Sequence, residues 1–360
     1  MPIFPISRLI PSFKPNGMVR CLLPAALAVL GINPAYGCSR VVYQGPKGTI
    51  ITARSMDWNE DMKTNLWIFP AGMQRNGEVG AKSMRWTSSF GSVIATGYDC
   101  ASTDGMNEKG LVANLLWLAE SEYEVWDQKK SALSIAAWVQ YVLDSYATVD
   151  EAVKGLGKQE FVVVTGGTPG RTSLATLHLA ISDASGDNAI FEYIGGKLVI
   201  HHSRSYQVMT NSPIYEKQIA LNEYWKQIGG TVMLPGTNRA ADRFVRASFY
   251  INAIPQTDNT RLAVASVFSV IRNVSVPLGI STPGQPNISS TRWRTVADHK
   301  NRIYFFESTV TPNTFWVDFK DIDFSKAGKV RKLSISNNEI YSGNTADKFV
   351  ETKPFQFQGL

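Results

Sequence analysis

The sequence predicts an α+β protein in which stacked antiparallel sheets are covered by helices. Three observations carry this. Strand-like and helix-like segments come in blocks rather than in strict βαβ alternation. Short runs rich in Val, Ile and Thr are separated by Gly- and Pro-containing turns. No Pro/Ser/Gly linker, low-complexity tract or internal repeat interrupts residues 38–360, a length that layered α+β proteins accommodate in one domain.

The first 37 residues read as an address. Arg8, Lys14 and Arg20 precede the apolar run 21–32, which is too short to cross a bilayer as a helix and has the length of a signal-peptide core. Ala35 and Gly37 are small residues at the two positions a signal peptidase inspects, so cleavage before Cys38 is expected. Translation from Met1 or from Met18 is compatible with this reading. The mature domain, 38–360, is then periplasmic or secreted and has no stable membrane span.

Taken in order, residues 39–58 form a hairpin. The alternating stretch 40–44 turns at Gly45-Pro46-Lys47-Gly48 and returns through the β-branched stretch 49–53, bringing residues 54–58 back beside Cys38. Helical periodicity runs over 131–147, 214–228, 239–254 and 260–274. Strands at 160–165, 175–181, 189–194, 197–200 and 206–209 are expected to make an antiparallel meander, with Gly195-Gly196 as one of its turns.

Composition excludes one class of partner. The whole chain has 36 Lys plus Arg against 30 Asp plus Glu, but the leader carries three of the cations and no anion. The mature chain is only mildly basic and has no Lys/Arg-rich run, so nucleic acid is excluded as a partner. Of three cysteines, Cys21 leaves with the leader. Cys38 and Cys100 could form a disulfide in an oxidising compartment. A domain of this size has core enough without a bridge at its extreme N-terminus, and free thiols are the preferred reading.

The sequence contains no G-x-S-x-G elbow, H-E-x-x-H, Walker A or strand-linked G-x-G-x-x-G. His201 and His202 are adjacent on a strand and point to opposite faces, and His178 and His299 lie apart from them. No metal site and no cofactor is expected. A cysteine that becomes the N-terminus needs no histidine. Its α-amine, with an ordinary pKa of about 7.7–8.0, can take the thiol proton and return it to a leaving amine. Such chemistry requires a cation near the thiol, a carboxylate near the amine and donors for an oxyanion. Arg54 and Asp57 are placed for the first two, or form a surface ion pair. Asn211, in an irregular segment between strand and helix, is an oxyanion donor or a turn former. Arg243 and Arg246 share one helix face, which by itself is a solvated face.

These residues fall within blocks that resemble the choloylglycine hydrolase and penicillin V acylase family of cysteine N-terminal-nucleophile amidases. The blocks are CSRVVYQGPKGTIITARSMDW from Cys38, DGMNEKGLVANLL from Asp104, MTNSP from Met209, DRFVRASFY from Asp242 and TRWRTVADHKNRIYFF from Thr291. The resemblance implies a four-layer αββα sandwich of two antiparallel sheets and hydrolysis of linear amides. It makes Cys38 the nucleophile, Arg54 and Asp57 its motif neighbours, Asn211 an oxyanion donor and Arg243 the distal active-site arginine. One departure matters: where bile salt hydrolases of the family usually carry Leu-Asn-Phe, this chain has Leu116-Trp117-Leu118. The main-chain N–H of Trp117, or less readily Asn114, has to stand in for the missing carboxamide.

The competing class is a non-enzymatic lipoprotein anchored through Cys38, which the bulky Tyr36 disfavours. The resemblance also implies a homotetramer, although the excursion between Asn211 and Arg243 is shorter than expected for Gram-positive bile salt hydrolases. Trp58 and Trp117 flank the nucleophile and either wall an acyl pocket or belong to the core. The leader and the Trp-for-Asn change resemble the Gram-negative branch of the family. Penicillin V and long-chain N-acyl homoserine lactones are therefore the expected small-molecule amide substrates, ahead of conjugated bile salts.

Overall fold

The computed structural model describes residues 37–167, 174–281 and 289–360. The expected leader lies outside the described residues, except for Gly37. Two large sheets dominate. The first has the order β14 (Val208–Met209), β1 (Cys38–Gln44), β2 (Ile50–Trp58), β15 (Ser290–Asp298), β16 (Ile303–Ser308), β17 (Thr314–Asp318) and β19 (Gly343–Asn344). The second has the order β13 (Lys197–His202), β12 (Asn188–Ile194), β11 (Leu177–Ser182), β8 (Val112–Trp117), β7 (Ala101–Asn107), β6 (Ser92–Gly97), β3 (Leu66–Phe69), β18 (Arg331–Leu333) and β20 (Val350–Glu351). All neighbours are antiparallel except β17 and β19. Two small pairs lie outside these sheets: β4 (Gln74–Asn76) with β5 (Arg85–Thr87), and β9 (Ser131–Ser134) with β10 (Phe161–Val164).

Helices cover both outer faces. Helix α1 (Trp138–Ser145) packs on β7 and β8, and α2 (Val149–Gly157) packs on β12 and β13. On the other side, α4 (Ala240–Ala253) lies on β1 and α5 (Thr260–Asn273) on β2 and β15, with α3 (Tyr215–Ile228) against α4. The core between the sheets takes Met56, Trp293 and Tyr304 from one and Val93, Met106 and Ala180 from the other, all buried, while Val41 and Ala53 pack beneath the helices on the outer face. A second core, around Ile94, Phe191, Trp138 and Leu143, lies beneath α1. Each such side chain contributes roughly 1.5–3 kcal/mol for the larger aliphatics and aromatics. The fold is the αββα sandwich that the resemblance implied.

The hairpin at 39–58 forms in the expected register, Arg40 opposite Arg54 and Cys38 opposite Met56. Three sequence expectations change. The helix expected over 131–147 begins at Trp138, because β9 pairs in parallel with β10 and Ser134 Oγ accepts from Ala136 N to start the turn into the helix. The stretch expected at 160–165 therefore leaves the meander, and the stretch at 206–209 joins β1 in the other sheet. What remains, β11 to β13, is a true meander. Helix α2 was not expected from periodicity; Thr148 caps it by accepting from Glu151 N.

The turn between β7 and β8 explains the Asn107-Glu108-Lys109-Gly110 block. Asn107 Oδ1 accepts from the amides of Lys109 and Leu111 at 3.1 and 3.0 Å, and Gly110 takes a φ of +85° that side-chain-bearing residues rarely adopt.

Candidate active site

Strand alternation divides the chemistry between two faces of the first sheet. Side chains of paired residues point the same way, so Cys38, Arg54, Met56 and Trp58 face the second sheet. Ser39, Ser55 and Asp57 face α4. The two charged groups that the sequence placed near Cys38 therefore approach it from opposite sides.

On the inner face, Arg54 Nη2 lies 3.6 Å from Cys38 Sγ and donates to Leu115 O at 2.9 Å. Its guanidinium stacks on Trp293, 4.7 Å from the ring centroid, and Nη1 is 3.8 Å from Asp104 Oδ2. Asp104 is itself held by Asn114 Nδ2 at 2.6 Å, by Thr295 Oγ1 at 3.2 Å and by the Tyr304 hydroxyl. The thiol is 3.9 Å from both Met56 Sδ and Asp57 O. Burial pushes the Cys38 thiol up, the Arg54 charge draws it back, and the Asp57 carboxylate adds to the rise. An Arg54 cation at contact distance is thus the main force favouring thiolate in a site that otherwise disfavours it.

On the outer face, Asp57 Oδ1 accepts from Thr291 Oγ1 at 2.6 Å, while Oδ2 faces Arg243 Nη1 at 3.8 Å. Burial raises the Asp57 carboxyl and Arg243 opposes that rise. Among the described residues, Asp57 Oδ2 is a buried acceptor without a hydrogen-bond donor. A Cβ placed on Gly37 would come within 3.0 Å of this oxygen and 3.1 Å of Arg243 Nη2. Arg243 is tied down by Cys38 O at 2.6 Å, Ser39 Oγ at 2.5 Å, Asn211 Oδ1 at 2.9 Å and Asn238 O at 3.0 Å. Asn211 Oδ1 also accepts from Cys38 N, and Asn211 Nδ2 donates to Trp117 O at 2.7 Å.

Arg54 and Asp57 are fully buried and do not pair with each other, which removes the surface ion-pair alternative. Cys38 and Cys100 are both free thiols, so the disulfide alternative is also removed. Arg246 is held by Pro235 O and Thr237 O rather than by the site. Trp58 and Trp117 line a cavity with Cys38 and Arg54, their ring centroids 5.8 Å apart and their planes inclined at 54°. Asn114 does not line that cavity; its side chain is on Asp104, two residues removed from the thiol. Among the described residues no group of three or more His, Cys, Asp or Glu could hold a metal ion.

Sequence reasoning missed Asp104, Ser39, Thr291 and Tyr98. Asp104 opens the DGMNEKGL block and Thr291 opens the TRWRTVADH block, so both lay in segments already singled out. Tyr98, which lines the cavity and accepts from Trp58 Nε1 at 3.0 Å, sits in a tight turn with φ of +54° and had no local signal.

The sequence profile of the linear amide C–N hydrolases, choloylglycine hydrolase family, matches residues 38–332. A penicillin V acylase of Pectobacterium atrosepticum is 54% identical over 364 residues, covering 94% of this chain and 97% of its own. A conjugated bile acid hydrolase of Lactobacillus gasseri is 24% identical over 275 residues, 67% of this chain and 83% of its own. Among solved structures, a penicillin V acylase from Agrobacterium tumefaciens superposes with a TM-score of 0.85 at 62% identity, covering 90% of this chain and all of its own. A conjugated bile acid hydrolase variant from Clostridium perfringens shares the fold, with a TM-score of 0.72 at 19% identity over 85% of this chain and 98% of its own.

Proposed function

The chain belongs to the linear amide C–N hydrolases of the choloylglycine hydrolase family, and we propose that it is an exported penicillin V acylase, also active on long-chain N-acyl homoserine lactones, with Cys38 as its N-terminal nucleophile. Family membership sets aside the non-enzymatic lipoprotein.

The observation that carries the mechanism is the surroundings of Cys38 N. It is held by Asn211 Oδ1, and the backbone preceding it runs past Asp57 Oδ2, an acceptor without a donor. Cleavage between Gly37 and Cys38 leaves a neutral α-amine at that point, and Asp57 becomes the partner of the ammonium formed when it takes up a proton. The amine accepts the proton of the Cys38 thiol, and Sγ attacks the acyl carbonyl carbon. Asn211 Nδ2 and the main-chain N–H of Trp117 receive the negative oxygen. The amine then passes its proton to the leaving nitrogen as the C–N bond breaks, giving a Cys38 thioester and the free amine. Water, deprotonated by the same amine, attacks the thioester and releases the acid. Arg54 favours the thiolate before attack, and Arg243 fixes Cys38 O and Asn211 so that nucleophile and oxyanion donor keep their spacing.

The indole pair and the apolar lining support an aryloxyacetyl or alkyl acyl group, with the amine half of the substrate read loosely. The penicillin V acylase relatives, at 54% and 62% identity, support penicillin V ahead of bile salts. The leader pattern supports export to the periplasm. A homotetramer is supported by apolar side chains left exposed on α3 and the turn after it: Leu221, Tyr224, Val232 and Met233. Light scattering tests that assembly.

A parallel release assay on penicillin V, a decanoyl homoserine lactone and glycocholate tests the substrate. Glycocholate cleaved at least about tenfold more efficiently than both others, roughly 1.4 kcal/mol in transition-state binding, reverses the ranking. Intact mass tests the nucleophile: activity with residues before Cys38 still attached eliminates it.

A further inference from the structure

Residues 352–360 follow the last strand without regular structure, yet they are fixed at successive positions. Phe355 meets Trp67 edge-on at 5.1 Å between ring centroids, and buried Phe357 meets Phe355 at 5.1 Å in the core beneath the second sheet. The next residue, Gln358, is bonded through both backbone groups and both side-chain amide atoms. Its N–H donates to Cys100 O at 2.8 Å, and its C=O accepts from Ser134 Oγ at 2.5 Å. Its Nε2 donates to Gly167 O, and its Oε1 accepts from the Cys100 thiol at 3.6 Å. Gly359 follows where a Cβ would lie 2.4 Å from Glu78 O, so glycine is required for the chain to pass.

Gln358 and Gly359 line the same cavity as Cys38, Trp58 and Trp117. Neither belongs to the catalytic machinery, since the thiol is surrounded by Arg54, Met56 and Asp57 O. An otherwise irregular segment, anchored by two phenylalanines and four polar bonds and then contributing two residues to an apolar cavity, is a built wall. We propose that Gln358 and Gly359 are specificity-determining residues that limit the length of the acyl group the cavity admits. This rests on the acyl-amide reading above. An acyl chain that overruns the cavity must displace Gln358 and leave its partners Gly167 O, Ser134 and Cys100 O unpaired, a penalty that a shorter chain avoids. In an apolar pocket a misfit of one methylene changes kcat/KM by roughly tenfold or more.

The test compares kcat/KM on penicillin V and on hexanoyl, octanoyl, decanoyl and dodecanoyl homoserine lactones for the parent and for Gln358→Ala. The expected result is a rise of about tenfold in the dodecanoyl-to-hexanoyl ratio. A purely structural role lowers all substrates together, and an unchanged chain-length profile in the variant overturns the proposal. If Gln358→Ala does not fold, Gly166→Ala replaces it, because its new Cβ would press on Gly359 O from 3.0 Å and must likewise alter the profile.

A second measurement does not depend on turnover. In a Cys38→Ala chain, alkylation of Cys100 is followed by peptide mass in the presence of hexanoate to dodecanoate. Shielding should reach longer acids once Gln358→Ala is added, and identical shielding in the two backgrounds overturns the wall. A parent that hydrolyses none of the amides defeats the substrate reading instead, and the shielding experiment still decides the wall.

Discussion

At the scale of single residues, the site works by placing opposite charges on opposite faces of one strand. Arg54 and Asp57, three positions apart, cannot neutralise each other across β2, so the cation acts on the thiol and the carboxylate is left for the amine side. Their effects on Cys38 consequently have opposite signs. Removing the cation in Arg54→Ala should raise the thiol pKa further, because burial and Asp57 then act unopposed. Removing the anion in Asp57→Asn should lower it. Both variants should lose turnover, by roughly a hundredfold or more where the proton path through the amine is broken. Alkylation rate of Cys38 against pH checks the signs: the midpoint moves to higher pH in the first variant and to lower pH in the second. Movement in the same direction would show that the two groups act through a shared rearrangement instead. Trp117 gives a second residue-scale prediction. Trp117→Ala removes one half of the indole pair while its carbonyl remains to hold Asn211 Nδ2. The loss in kcat/KM should be larger for penicillin V than for an alkyl amide, by about 1 kcal/mol, since aromatic contact adds roughly that much beyond area. Equal losses on the two substrates would place the indole outside the acyl wall.

At the scale of elements, what could be read from the sequence was whatever local periodicity decides. The hairpin carrying Cys38 and Arg54 was legible because its turn residues and β-branched return fix the register, and α3, α4 and α5 formed within a residue or so of expectation. The strand at 131–134 was not legible, because its partner, Phe161–Val164, lies beyond two helices and only that pairing makes it a strand. The site residues Asp57 and Asn211 were visible as motif members. The facing of Asp57 toward Arg243 depends on the docking of α4 on the first sheet, which no local pattern encodes, whereas Asn114 meets Asp104 as its opposite residue across the β7–β8 hairpin. Helix α2 was missed although its signal was present: Thr148 Oγ1 caps the helix by accepting from Glu151 N at 3.2 Å, and Glu151 Oε2 reaches back to accept from Ala147 N, one residue before the cap, at 2.8 Å. Thr148→Ala should therefore cost about 1 kcal/mol. Urea unfolding should show a lower midpoint with an unchanged slope, while kcat and KM stay those of the parent, because α2 packs on β12 and β13, away from Cys38.

At the scale of the whole molecule, the two sheets are held by polar pins as well as by the core between them. Arg40 on β1 donates to Ile181 O and Asn188 Oδ1 of the second sheet at 3.1 and 2.9 Å. Thr52 on β2 meets Ser182 Oγ of β11 at 2.7 Å, and also meets His299 Nε2 at 2.7 Å. The other ring nitrogen, Nδ1, faces Gly110 O at 2.7 Å in the turn between β7 and β8. A carbonyl can only accept, so Nδ1 carries the proton, and in the neutral ring that burial favours Nε2 accepts from the Thr52 hydroxyl. Burial holds the His299 pKa down at about 4, below its ordinary 6.5. Between those values the unfolded chain binds a proton that the folded chain refuses. The stability this ring supplies is complete above pH 6.5 and drains away as the pH falls toward 4. His299→Gln removes the titration and keeps a group able to donate and accept. At pH 7.5 the variant should be less stable by about 1–3 kcal/mol for imperfectly remade bonds. At pH 5 that gap should shrink by about 2 kcal/mol, because the parent has by then lost most of one and a half pKa units of linkage. Thermal midpoints of both proteins across this range provide the check, and a constant gap would mean that the ring bridging the two sheets does not titrate between pH 4 and 6.5.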